Sequence, residues 1–116
     1  LLPDYHAMSH GESFLDFLQH EAREGVYLLD EPEAALSPQR QLTLIAHVVG
    51  MARNGSQFII ATPSPLLLGI PEAQILQFDD EGIAPVAYEE TDSYQITKLF
   101  IEARESLLHK LLDASD

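Results

Sequence analysis

Short apolar runs alternate along this chain with longer amphipathic stretches. Two of the runs, residues 26–29 and 57–61, have the length of strands and are followed by polar or turn-forming residues. Continuous apolar runs are typical of parallel strands that lie under helices on both faces of a sheet. The order strand, helix, strand therefore predicts an α/β fold in which both strands are buried on both faces.

The first amphipathic stretch predicts a helix from Ser9 to about Glu24, which Gly25 ends as a common C-terminal residue. Ser9 and Glu12 have the spacing of a capping box, in which the hydroxyl and the carboxylate each bond a free backbone amide. The predicted apolar side of this helix consists of Phe14, Leu15, Phe17 and Leu18.

The next amphipathic stretch predicts a helix that begins at Ser37 and Pro38, because serine caps helices and proline suits their first turn. Asn54 and Gly55 are expected to stop this helix. Its predicted apolar face consists of Leu42, Ile45, Ala46 and Val49.

The rest of the chain predicts one hairpin and further helix. A short helical segment is expected over residues 64–68, opened by a serine and a proline. Residues 74–78 and 83–88 have strand character, and the acidic turn that joins them ends in glycine, which is a hairpin signal. Helix is predicted from Thr91 onward, with a leucine-rich end.

Composition and charge narrow the function classes. The chain has 116 residues, is 46% hydrophobic and carries a formal net charge of −13. That charge is explained by solubility alone. It argues against binding of a nucleic-acid backbone by this chain alone, but it does not exclude nucleic-acid binding by a larger assembly. Because there is no cysteine and no apolar run of about 18 residues, we expect no disulfide, no membrane span and a cytoplasmic location.

Asp30 and Glu31 directly follow the first strand run. The carboxyl ends of strands are where open α/β sheets bind ligands. Asp30 is a candidate ligand for Mg²⁺, which prefers oxygen, and Glu31 is a candidate base for a water molecule. Pro32 is expected to hold Glu31 in extended geometry. The same acids fit a solvated turn between strand and helix, and spacing alone leaves both interpretations open.

Three motifs resemble those of ABC-type ATPases and occur in the order of that family. "MSHGESF", "LLDEPEAALSP" and "FIIATPSP" are similar to the signature motif, to the Walker B strand with its D-loop, and to the switch segment. The likeness is in particular to bacterial AAA-family ATP-binding proteins of the RecF and SMC group, and it extends over nearly the whole chain. The resemblance implies that residues 1–116 are one partial domain, the C-terminal portion of a three-layer P-loop NTPase fold. This portion should contain a mostly parallel sheet, a terminal β-hairpin and flanking helices.

The resemblance also implies roles for individual residues. Asp30 matches the Walker B aspartate that positions Mg²⁺, Glu31 matches the glutamate that activates water, and Ser37 lies in the D-loop. The signature positions, which contact the ATP phosphate held by the opposite protomer, are matched by Ser9, His10, Gly11 and Glu12. ATP and Mg²⁺ are therefore expected in a composite site of a homodimer.

Two departures from the family alter these expectations. Pro63 occupies the switch position, which is normally histidine, and it has no donor for the γ-phosphate, so hydrolysis should be impaired. The sequence contains no G-x-x-x-x-G-K-[ST] loop, the phosphate cradle of the family. We therefore expect a missing N-terminal half that carries this loop. Without the strand of that half, the strand at residues 57–61 has an open edge, which favours a partner, self-association or local rearrangement.

The favoured hypothesis is a partial ATPase domain that contributes Walker B acids and the signature motif to a dimeric ATP site. On this hypothesis the parent protein is an ATPase and the isolated chain is inactive. The alternative is a non-enzymatic, degenerate or truncated ATPase module that acts through protein association. The open strand edge and the apolar C-terminal helix motivate the alternative.

Overall fold

The computed structural model of the protein describes residues 10–114, and the side chains of residues 10–12 and 114 lie outside this description. The chain forms two compact units, Leu1–Glu72 and Ala73–Asp116. No helix in the described range is long and apolar enough to cross a membrane.

The first unit is built around two parallel strands and two helices. Its elements are α1 (His10–His20), β1 (Val26–Asp30), a 3₁₀ helix (Pro32–Ala35), α2 (Pro38–Arg53), β2 (Gln57–Ala61) and a second 3₁₀ helix (Leu67–Gly69). β1 and β2 pair in parallel, with Val26 opposite Gln57 and Asp30 opposite Ala61. Both predicted strands are confirmed, β1 being one residue longer than its apolar run.

Local signals determine the ends of α2 as the sequence predicts. The Ser37 hydroxyl accepts a hydrogen bond from the Arg40 amide at 3.2 Å, and Pro38 occupies the first turn. The helix ends at Asn54, and Gly55 adopts φ +102°, a conformation that favours glycine. Both predicted ends of the helix are therefore confirmed.

α1 is shorter than predicted and ends at His20 rather than near Glu24. The amides of Glu21 and Ala22 both donate to the Phe17 carbonyl at 2.9 Å, which closes the last turn. Gly25 instead precedes β1, where its amide donates to the Ser56 hydroxyl at 3.2 Å. The glycine therefore belongs to the start of the sheet and not to the end of the helix.

The core lies between the helices and one face of the strand pair. Its buried residues are Leu18, Leu36, Leu44, Val48 and Leu67, and the partly buried residues packed on them include Phe14, Leu15, Phe17, Ile45, Met51, Phe58 and Ile60. The predicted apolar side of α1 is confirmed. The predicted face of α2 is right at Ile45, which packs on the core, and wrong at Leu42, which is 55% exposed whereas the unpredicted Leu44 is fully buried.

The second face of the strand pair is open, which contradicts the prediction that both faces are buried. Val26, Leu28 and Ile59 are 65%, 73% and 55% exposed. Both helices contribute to a core that includes Phe58 and Ile60 on the opposite face. Within the described residues β2 pairs only with β1, so its outer edge is open as expected.

The second unit contains a hairpin and two helices. β3 (Leu76–Asp79) and β4 (Gly82–Pro85) pair antiparallel, and α3 (Asp92–Glu102) and α4 (Arg104–Ala114) follow. The Thr91 hydroxyl caps α3 by accepting from the Tyr94 amide. The predicted hairpin and terminal helix are confirmed, with a break in the helix at Ala103. The fold is thus mixed α/β with a short parallel sheet and an antiparallel hairpin, and the larger three-layer arrangement stays a prediction.

Candidate functional site

Two loops leave the parallel strands at neighbouring positions. Because Asp30 and Ala61 are partners in the register, residues 31–36 and residues 62–64 start side by side at the carboxyl edge of the strand pair. The Glu31 amide donates to the Ala61 carbonyl at 2.7 Å, which continues the pairing one residue beyond β1. This edge is the position where open parallel sheets bind ligands.

The two acids of the first loop are accessible. Asp30 and Glu31 are both exposed, and Asp30 shares the open face of the sheet with Val26 and Leu28. Among the described residues, neither carboxylate has a hydrogen-bond or ion-pair partner. Their oxygens are therefore available to a ligand or to water.

Glu31 has a left-handed backbone, with φ 48° and ψ 53°, and the prediction of extended geometry is wrong. Its amide is held by the Ala61 carbonyl, and its own carbonyl accepts from the Ala34 amide at 3.1 Å. These bonds turn the chain directly from strand into the 3₁₀ helix. They override the local preference of a residue before proline for extended backbone. A non-glycine residue held in this region stores about 1–3 kcal/mol of strain, and such residues concentrate at functional sites.

A hydrogen-bonded chain joins the two loops. Thr62 Oγ1 donates to Glu33 Oε1 at 2.5 Å and accepts from the Ser64 amide at 3.0 Å. Ser64 Oγ, in a residue that is 5% exposed, donates to Gln41 Oε1 at 2.5 Å. Gln41 Nε2 donates to the Leu36 carbonyl at 3.4 Å, which returns to the first loop. We refer to the side chains of Glu33, Thr62, Ser64 and Gln41 as the loop network.

Sequence reasoning missed the loop network. Thr62 and Ser64 are polar residues directly after a strand, which was an available signal for a role at the strand end. Glu33 and Gln41 carry no comparable signal, because acids and amides are ordinary on loops and helix surfaces. Ser64 also organises the next turn, since its hydroxyl accepts from the amides of Leu66 and Leu67 at 3.2 Å. The helical segment predicted at residues 64–68 is in fact the short 3₁₀ helix Leu67–Gly69.

Pro63 lies at the centre of the second loop. It is exposed, and the loop network holds the residues on either side of it. Proline has no amide hydrogen and no polar side chain, so it offers no donor to a ligand at this edge. Any donor on this loop must therefore come from neighbouring residues.

The other predicted binding residues receive less support from the geometry. Ser9 lies outside the described residues, and His10, Gly11 and Glu12 form the start of α1 with undescribed side chains. Ser37 is exposed and caps α2, so the structure explains it without a ligand. The phosphate-contacting roles of Ser9, His10, Gly11 and Glu12, and the D-loop role of Ser37, stay predictions.

The donor set fits Mg²⁺ better than a metal held by protein alone. In the described part of the chain, no group of three or more histidine, cysteine, aspartate or glutamate residues is arranged to hold a metal ion. Mg²⁺ typically uses one or two carboxylates, keeps several waters and takes further oxygens from substrate phosphates. Asp30, with its neighbour Glu31, matches this limited requirement.

The second unit has a shallow groove along α3, of about 420 Å³, between Glu89, Tyr94, Lys98 and Glu102. The Lys98 ammonium lies 5.9 Å from the centre of the Tyr94 ring, and Tyr88 packs edge-on against that ring. Burial raises the pKa of Tyr88, and Tyr94 and Glu89 add to the effect. The groove combines both charges with an aromatic ring, which does not indicate one ligand class.

Comparison with known families gives one match, which covers part of the first unit. Residues 13–69 match the sequence profile of the family described as "AAA domain, putative AbiEii toxin, Type IV TA system". The match spans just under half of the chain, from within α1 to the end of the second 3₁₀ helix. It supports an AAA or P-loop NTPase-type domain and indicates a nucleotide-binding, NTPase-like module. No curated protein and no solved structure matched the chain.

The matched span contains both loops of the site but not residues 9–12. The nucleotide-binding part of the resemblance is thus supported. The ABC-type features, namely the signature motif and the dimer, stay predictions.

Proposed function

We propose that this chain is the C-terminal part of an ABC-type domain that binds and hydrolyses ATP in the complete protein. The observation that carries the proposal is the carboxyl edge of the β1–β2 pair. There two accessible acids, Asp30 and Glu31, lie beside the loop that contains Pro63. The proposal is supported by the family match, because residues 13–69 include this edge and the matched family is one of AAA domains.

The two acids would have different roles. Asp30 would hold Mg²⁺, which offsets the negative charge of nucleotide phosphates when bound. Glu31 would orient a water molecule and accept its proton on the carboxylate. The left-handed backbone of Glu31 supports this assignment, because strain of this kind is retained where function requires a fixed geometry.

The remaining parts of the site would come from other chains or segments. Ser9, His10, Gly11 and Glu12 would contact the ATP phosphate of the opposite protomer in a homodimer, and Ser37 would line the interface. The glycine-rich phosphate loop, which this sequence lacks, would come from the N-terminal half of the domain. Without that half, the chain alone should not hydrolyse ATP.

The metal role of Asp30 is tested by binding. In the full-length protein, Asp30→Asn should weaken ATP binding in the presence of Mg²⁺ about tenfold, the size expected when one charged partner is lost. Binding without Mg²⁺ should change little. Isothermal titration with and without Mg²⁺ measures both quantities, and Asp80→Asn on the exposed hairpin turn removes the same charge as a control. Equal Mg²⁺ dependence in both variants would contradict the assignment.

A second candidate function is association without catalysis, and the open face of the strand pair favours it. Val26, Leu28 and Ile59 are exposed beside an open strand edge, which is a feature of surfaces that pair with another chain. A G-x-x-x-x-G-K-[ST] sequence encoded upstream of Leu1 would favour the ATPase, and its absence from the gene would favour association.

The association role has a direct test in solution. We expect the 116-residue chain to form species larger than 12.9 kDa at micromolar concentration, measured by size exclusion with light scattering. Leu28→Lys on the open face should return it to the monomer, whereas Leu42→Lys, on an exposed position of α2, should not. A wild-type monomer at tens of micromolar would argue against this candidate.

A further inference from the structure

We propose that Glu33 is a positioning residue which, through Thr62, holds the loop containing Pro63 in place beside the loop containing Glu31. The inference rests on the proposed function, since it assigns a role in ATP turnover to a residue that need not touch the nucleotide. Its basis is the loop network described above.

The bond between Glu33 and Thr62 is the only described side-chain bond that directly joins these two loops. The bond joins a hydroxyl to a carboxylate oxygen at 2.5 Å, and hydrogen bonds to a charged group are about twice as strong as neutral ones. Both residues are half-buried, so water screens the bond less than it would on an open surface. Glu33 is therefore well placed to fix the position of Thr62.

Pro63 is fixed from both sides. Thr62 is held by Glu33 of the first loop, and Ser64 is held by Gln41 of α2. The Ser64 amide also donates to the Thr62 hydroxyl, which closes a tight turn around the proline. With φ restricted by its ring, Pro63 has little freedom once both neighbours are held.

The same bond couples the geometry of Glu31 to the second loop. Glu31 is connected to Ala61 through its amide, and Glu33, two residues later, is connected to Thr62 through its carboxylate. The two loops are therefore joined by two successive hydrogen bonds, one from a backbone amide and one to a carboxylate. A shift of either loop must therefore move the other loop or break one of these hydrogen bonds. Loss of the second hydrogen bond should leave the Glu31 carboxylate less precisely oriented, which lowers the rate of the chemical step rather than the affinity for nucleotide.

The test compares ATP hydrolysis by variants of the full-length protein. Glu33→Ala should lower kcat about tenfold, the expected effect of removing a hydrogen bond to a charged group, with KM changed less than about twofold. Glu33→Gln should retain most of the rate, because its amide oxygen still accepts from Thr62. Thr62→Val should match Glu33→Ala and Thr62→Ser should match the wild type. Glu81→Ala, on the exposed hairpin turn, is the control for truncation of a glutamate.

The pair should also be strongly non-additive. If the two side chains act through their shared bond, the double variant Glu33→Ala, Thr62→Val should be no slower than either single variant. If the reductions of kcat in the two single variants multiply in the double variant, the residues act separately and the proposal is overturned. A rise in KM with unchanged kcat would also overturn it, because that pattern indicates lost binding.

Amide hydrogen exchange gives a readout that does not depend on ATP. The Ser64 amide, which donates to Thr62, should exchange about tenfold faster in Glu33→Ala than in the wild type or in Glu33→Gln. Unchanged protection of Ser64 would show that Glu33 does not hold this loop, and would overturn the inference directly.

The results separate the inference from the function on which it rests. If Glu31→Gln abolishes hydrolysis while Glu33→Ala leaves kcat intact, the positioning role is wrong and the proposed ATPase stands. If the full-length wild-type protein does not hydrolyse ATP, the proposed function is wrong, and exchange of the Ser64 amide alone still decides whether Glu33 holds the loop. If Glu31→Gln hydrolyses ATP at the wild-type rate, Glu31 is not the base, and a role of Glu33 in hydrolysis through Glu31 is wrong with it.

Discussion

Glu31→Gln in the full-length protein is expected to reduce ATP hydrolysis by about a thousandfold, within the range of about 10²–10⁴ for loss of a general base. Glutamine has nearly the shape of glutamate but cannot accept a proton at neutral pH. The carboxylate is exposed at the edge of the strand pair and has no partner among the described residues. Its replacement should therefore affect the chemistry and leave the packing intact.

The measurement is single-turnover hydrolysis together with equilibrium binding of ATP. Binding should be preserved, because Glu31 is assigned to the water and not to the nucleotide. Glu90→Gln, an exposed residue of the second unit, carries the same chemical change and should leave the rate unaltered. The free energy of unfolding should change by less than about 0.5 kcal/mol, as for most surface substitutions. A rate within a few-fold of the wild type would exclude Glu31 as the base.

Leu44→Ala is expected to lower the free energy of unfolding by about 2–5 kcal/mol, the usual effect of truncating a fully buried leucine. Leu44 has no exposed surface and lies in the core with Leu18, Val48 and Leu67. The core of the first unit has few buried residues, so little other packing compensates for a cavity. Because domains are stable by only about 5–15 kcal/mol, a loss of this size should leave a substantial unfolded fraction in mild denaturant.

Urea denaturation of the chain, followed by far-ultraviolet circular dichroism, measures the change. Leu42→Ala is the matched control, because it is the same substitution on the same helix at a position that is 55% exposed. It should lower the stability by less than about 1 kcal/mol. A larger loss for Leu42→Ala than for Leu44→Ala would mean that α2 packs on the face predicted from its sequence and not on the face seen in the structure.

The sequence predicts the elements of the first unit well where short-range chemistry determines them. Ser37 and Pro38 start α2, Asn54 stops it, and the two apolar runs become strands. The packing face of α2 could not be predicted in the same way. Leu42 and Leu44 lie two residues apart, and each belongs to an apolar series along the helix. Which series is buried depends on the side from which the strands approach, and that is a tertiary property.

In the candidate site too, the features set by local sequence could be predicted and those set by tertiary contacts could not. The position of Asp30 and Glu31 at a strand end follows from the sequence, because an apolar run stops there. The bond between Glu33 and Thr62 does not, since the two residues are 29 positions apart and meet only through the parallel register. The backbone of Glu31 is a further case, in which a tertiary hydrogen bond overrides the preference that Pro32 imposes.

The left-handed backbone at position 31 also limits which residues can replace Glu31 during evolution. Glycine adopts that conformation without strain, and asparagine and aspartate tolerate it better than other residues, whereas valine, isoleucine and threonine are strongly disfavoured. In a lineage that no longer needed the carboxylate, mutation under relaxed selection should therefore accumulate glycine or asparagine here and avoid β-branched residues. On the proposed role of Glu31 as the base, the residue found at this position in a diverged copy would then record whether that copy has kept the carboxylate that hydrolysis needs.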